Sequence, residues 1–119
     1  MAQLSRNILY VGAAGTQDLG GERTFTDNGF GVASVTAPES AVTYVKNSNV
    51  QVVLLDELSN IDISKFAGSL KVASPFLKII ALVTSSHAPE HVDAVLRKPI
   101  DPTRLIAAVH QNLGYAAND

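Results

Sequence analysis

Two rhythms of apolar residues alternate along this chain. Short apolar runs lie at residues 8–12, 50–55 (broken only by Gln51) and 79–83, with briefer or more mixed ones at 31–35 and 93–97. Runs of this length, dense in valine and isoleucine, predict strands, and the continuous ones predict strands buried on both faces. Between them the apolar residues recur at helical spacing. Ala41, Val42 and Val45 predict a helix over 36–46, capped by Thr36 with Pro38 in its first turn and Glu39 closing a capping box. Ile63, Phe66, Ala67, Leu70 and Ala73 predict another, capped by Asp62 or Ser64 and stopped at Ser74-Pro75. Leu105, Ile106, Val109 and Leu113 predict a last one, capped by Asp101 and stopped by Gly114. Residues 16–28 should also be helical if the alternation holds. Gly20-Gly21 interrupts them, and only Leu19 and Phe25 are large and apolar, so a short or irregular helix is expected.

Strands that alternate with helices build a parallel sheet. Five strands fit an α/β, flavodoxin-like doubly wound sheet of order 2-1-3-4-5. The length of 119 residues implies one domain, 1–119, with flexible ends at 1–6 and 115–119. Apolar content of 46% and charged content of 17% suit a packed core. The net charge of −2, without a basic run, gives no reason to expect a nucleic-acid partner or an anionic membrane. No stretch is long enough to span a bilayer, and the faintly signal-like start makes better sense as a first strand. The expectation is a cytoplasmic domain. The absence of cysteine rules out disulfides, thiolate-held zinc and thiol catalysis.

Chemistry concentrates at one rim. In this strand order the C-terminal ends of strands one, three, four and five share an edge, which places Gly12, Asp56, Thr84 and Lys98 together. A strand ending Leu54-Leu55-Asp56, a later one ending at Thr84-Ser85, and another ending at Lys98-Pro99 stand in that order. The whole chain thereby resembles the receiver domain of bacterial two-component response regulators, of the chemotaxis-regulator kind. The resemblance implies a histidine kinase that passes a phosphoryl group to the central aspartate. It also implies an acidic pair after the first strand that holds Mg²⁺, and a hydroxyl and a lysine that contact the phosphoryl oxygens. Carried over, Asp56 is the phospho-acceptor position, and Thr84 and Lys98 are the switch and phosphate-side positions. Val95 and Leu96 lie on the implied output face, and Val95 takes the place of that face's switch aromatic.

Two departures change the expected chemistry. The acidic-pair positions hold Gly12 and Ala13, and Ala14 behind them is no better. Phosphoryl transfer depends on charge neutralisation by the bridging metal, and Mg²⁺ asks for carboxylate oxygens in octahedral geometry. Glu57 points to the other face, and Asp18 could reach the rim only from a distorted first helix. No metal or other cofactor is therefore expected, and Asp56 and Lys98 are free to pair directly. Second, only residues 85–92 separate Thr84 from the fifth strand, and Pro89 lies among them. Eight residues span at most roughly 28 Å, too little for a crossover that also carries a full helix. The fourth helix of the family should be shortened or missing, with the sheet face beneath it more exposed.

The reading is a degenerate receiver, not an enzyme, acting through contact with a histidine kinase, another signalling protein or a fused domain; a homodimer stays open. One alternative is an active receiver phosphorylated on Asp56 with Mg²⁺ at an unusual site. Another is a small-ligand module using the rim between Gly12 and Asp56. Gly12-Ala13-Ala14-Gly15 is a poor nucleotide turn because Asp18 stands where a third glycine belongs. His87 and His91 have Pro89 between them and no third ligand. Ser85-Ser86-His87 lacks nucleophile-elbow glycines. His110 is expected on the exposed side of the last helix.

Overall fold

The computed structural model describes residues 6–12, 22–48, 50–56, 62–84, 89–98 and 100–113. The five strands are β1 (Arg6–Val11), β2 (Phe30–Val35), β3 (Val50–Asp56), β4 (Lys78–Val83) and β5 (Ala94–Arg97). They form one parallel sheet of order β2-β1-β3-β4-β5. The four helices are α1 (Glu22–Thr26), α2 (Pro38–Asn47), α3 (Ile63–Ala73) and α4 (Pro102–Leu113). This is the flavodoxin-like architecture expected from the alternation. Strand boundaries move by one or two residues: Arg6 already belongs to β1 instead of a loose end, and Asp93 precedes β5. The remainder of the expected flexible ends, the Gly114 stop, the loops at 13–15 and 57–61, Asp18, Leu19, Ser85, Ser86, His87 and Pro99 lie outside the described residues.

Alternation along each strand divides the core in two. On one face Ile8, Tyr10, Val52, Leu54, Ile80 and Leu82 pack against Phe25 of α1 and Leu105, Ile106 and Val109 of α4. On the other, Leu9, Val11, Val53, Leu55 and Ile79 pack against Ala41 and Val45 of α2 and Phe66, Ala67 and Leu70 of α3. A register shift between Asn7 and Ile8 skips Gln51, so Val50 joins the second face although Val52 belongs to the first.

Three local expectations are corrected. The α2 cap is Ala37, extended at φ −115° and ψ 142°, with no side-chain cap bond. The ring of Pro38 keeps the preceding residue extended and itself starts the helix. The Thr36–Glu39 box is therefore one residue out of register. His110 is half-buried, its ring centroid 5.3 Å from that of Phe30. Finally, the missing helix does not bare the sheet. No helix lies between β4 and β5 among the described residues, yet Ala81 and Val83 stay 0% and 1% exposed. The short segment before β5 is drawn onto α3. The Glu90 amide donates to Ser64 Oγ at 2.8 Å, the His91 ring lies over Gly68, and Val92 packs into the second core face. Asp93 then fastens the end. Its amide donates to the Ile79 carbonyl, and its Oδ2 accepts from the Ile79 amide at 2.8 Å and from Lys71 Nζ at 2.7 Å. The same clamp explains His91, which alone among the described non-glycine residues has positive φ, at 67°. An abrupt reversal is needed between the Ser64 contact and the Asp93 clamp.

Candidate functional site

The site grows from the end of β3. Asp56 closes that strand, pairs in register with Leu82 of β4, and shares a face with Leu54 and Val52. Its side chain is turned into the rim and is only 6% exposed. Gly12 follows the last residue of β1, and its amide donates to the Val35 carbonyl at the end of β2 at 3.1 Å. Thr84 follows the last residue of β4 and is exposed. Lys98 follows β5, and its amide donates to the Val83 carbonyl at 2.8 Å, which holds the residue at the rim. The fold thus brings Gly12, Asp56, Thr84 and Lys98 to one edge.

At the centre of this edge both oxygens of Asp56 are engaged. Lys98 Nζ lies 2.5 Å from Oδ1. The Tyr10 hydroxyl donates to Oδ2 at 2.5 Å. A charge-assisted hydrogen bond to each oxygen satisfies a carboxylate that burial would otherwise penalise. Lys98 is about one-third exposed, so the pair is half a surface interaction and half a buried one. Tyr10 is 1% exposed, its ring inside the first core face and only its hydroxyl at the site.

The pattern of apolar residues marks Tyr10 only as a strand residue. A signal was nevertheless present. Tyr10 and Gly12 are two apart on one strand and therefore share a face, and a tyrosine is long enough to reach past a glycine. Ala13 lies outside the described residues and carries no side-chain donor in any case. On β5, Leu96 packs against the first core face, while Val95 lies on the opposite pleat, half-buried. The two residues of the implied output face therefore address different sides of the sheet.

Magnesium is the metal that the resemblance implies, and the described residues of the rim do not suit it. Gly12 offers no oxygen. A Cβ built there would meet Tyr10 Oη at 2.5 Å and Asp56 Cβ at 2.8 Å, so the volume an acidic side chain needs is already filled. Asp56 presents its oxygens to a phenol and an ammonium. Among the described residues no group of three or more acidic, histidine or cysteine side chains could hold a metal.

With this geometry in place, comparison with known proteins concerns the fold. The structure overlays the signal receiver domain of an HD domain-containing protein from Pseudomonas fluorescens Pf-5 with a TM-score of 0.81. The identity is 15%, over 97% of this chain and 91% of that one. It has the receiver fold. A CheY-like response regulator receiver domain from Methanospirillum hungatei JF-1 matches with a TM-score of 0.80 and 18% identity, over 92% of this chain and 94% of the other. A pilus assembly-related protein from Burkholderia pseudomallei K96243 matches with a TM-score of 0.74 and 18% identity, over 98% and 95% of the two chains. No protein-family model and no curated protein sequence matches the chain. None of the described helices is long and apolar enough to cross a membrane.

Proposed function

We propose that this chain is a receiver-like signalling module that works by protein–protein contact, without phosphoryl transfer at Asp56. The observation that supports this most is the engagement of both Asp56 oxygens, one by Lys98 and one by Tyr10, beside a glycine where a metal-holding acid would stand. An incoming phosphoryl group needs a free carboxylate oxygen and a cation to neutralise the charge that develops on transfer. Lys98 supplies one positive charge, but it is spent on the resting carboxylate. The partner in this reading is a histidine kinase, another signalling protein or a domain on the same polypeptide, met in the cytoplasm.

The test is direct. The protein and its Asp56→Ala variant are incubated with MgCl₂ and acetyl phosphate, quenched and weighed intact. No phosphoryl adduct is expected on either. An adduct on the parent chain that Asp56→Ala abolishes would instead establish an active receiver.

A further inference from the structure

We infer that Tyr10 is the residue that closes this site, and that its ring, together with Asp56 Cβ, is what keeps position 12 a glycine. The inference rests on the metal-free reading and goes beyond it. It assigns the space beside Asp56 to a specific occupant and links Tyr10 to the glycine at position 12.

The argument is geometric. Two strand residues advance roughly 6.6 Å, about the reach of a tyrosine side chain. From one step down β1, on the same face as Gly12, the ring therefore ends level with position 12 and its hydroxyl meets Asp56 Oδ2. A Cβ at position 12 would lie 2.5 Å from Tyr10 Oη, 2.8 Å from Tyr10 Cζ and 2.8 Å from Asp56 Cβ. All three are closer than real Cβ atoms come, and two of them belong to Tyr10. The obstruction is a ring packed in the core, not the free end of a flexible chain. Gly12 does not have positive φ, so close approach, rather than backbone conformation, requires the glycine. Tyr10 and an acid at position 12 thus exclude each other. Tyr10 also stabilises this oxygen where a bound cation would otherwise have done so, by donating a hydrogen bond to the buried carboxylate. Restoring the acidic pair alone should fail to rebuild a cation site; position 10 must be cleared first. Tyr10 acts here as a positioning residue.

Two measurements on the full chain test this. In the first, urea midpoints are taken for Gly12→Ala, Tyr10→Leu and the double variant. The glycine substitution should lower the midpoint clearly more in the parent than once Tyr10 is leucine, where only the Asp56 Cβ contact remains. An equal drop in both backgrounds would overturn the inference. In the second, Gly12→Asp/Ala13→Asp is compared with the same pair plus Tyr10→Leu, and Mn²⁺ binding is read from paramagnetic broadening of amide signals. The cleared variant should bind at least tenfold tighter. Equal affinity with Tyr10 in place would overturn the inference, and if neither acidic variant folds, the urea cycle alone decides. The outcomes separate from those of the proposed function. A phosphoryl adduct on the parent with a coupled cycle removes the function and leaves the packing inference, whereas an additive cycle without an adduct does the reverse.

Discussion

At Asp56 a single carboxylate draws its partners from two strands, and what each partner contributes depends on its exposure. Breaking a buried ion pair by removing one member costs about 3–5 kcal/mol when both are fully buried. Lys98 is one-third exposed and water can reach Asp56 when it leaves, so Lys98→Met should cost about 1–3 kcal/mol in urea denaturation. In an Asp56→Asn background, where the amide still accepts from Tyr10 and no charge needs an ammonium, the same change should cost less than half as much. Asp93 offers a different handle. Burial pushes its pKa up, but the hydrogen bond from Lys71, the Ile79 amide and the charges of Lys71 and Lys78 outweigh that and hold the carboxyl below its ordinary value. A depressed folded pKa means stability that is present above the unfolded value, about 3.9, and lost as the pH falls through the folded value. The stability gap between the parent and Asp93→Asn should therefore be full at neutral pH and shrink only in acid; a gap that widens on acidification would contradict the clamp. Asp56 was legible because it ends a strand that the apolar pattern marks plainly, and Lys98 because it follows a briefer one in the order that the resemblance implies. Tyr10 was not, because an aromatic inside a strand reads as core, and its ring is core. Only its last atom belongs to the site.

Among the elements, helix starts show how local chemistry and neighbours compete. Asp62 accepts from the Lys65 amide at 3.2 Å and caps α3 as its sequence suggests. Asp62→Ala should lower stability by about 0.5–2 kcal/mol. α2 is the opposite case, since Pro38 sets its start and leaves Ala37, which cannot cap, at the N-cap. Ala37→Asp, placed in extended backbone one residue before the proline, should stabilise by about 1 kcal/mol, read as a raised melting temperature. Residues 16–28 were expected to form a weak helix because of Gly20-Gly21, and the described part is the five residues of α1. The connection before β5 was legible as too short for a helix, but not in its consequence. Chain length bounds what the segment can carry. It does not reveal that Glu90, His91 and Asp93 would find Ser64, Gly68, Lys71 and Ile79 on their way across. Those partners are 14 to 26 residues away in sequence along a path that only tertiary packing defines.

For the molecule as a whole, the parallel sheet and its order were legible because four of the five apolar runs are followed by a stretch of helical spacing. The implied output face was less so: Val95 and Leu96 are neighbours in one strand and lie on opposite pleats, so they address different sides of the sheet. The global claim is that this domain holds its rim together with its own side chains and needs no cation. A ligand that binds only the folded state raises stability by RT ln(1 + [L]/Kd), so millimolar Mg²⁺ should leave the urea midpoint of the parent unchanged. The measurement that tests the claim most directly is ¹⁹F NMR of the protein with MgCl₂ and beryllofluoride, a mimic of the phosphoryl group on a carboxylate. Only the resonances of free fluoroberyllate species are predicted. New protein-bound resonances that disappear in Asp56→Ala would show Asp56 accepting the mimic and contradict the account.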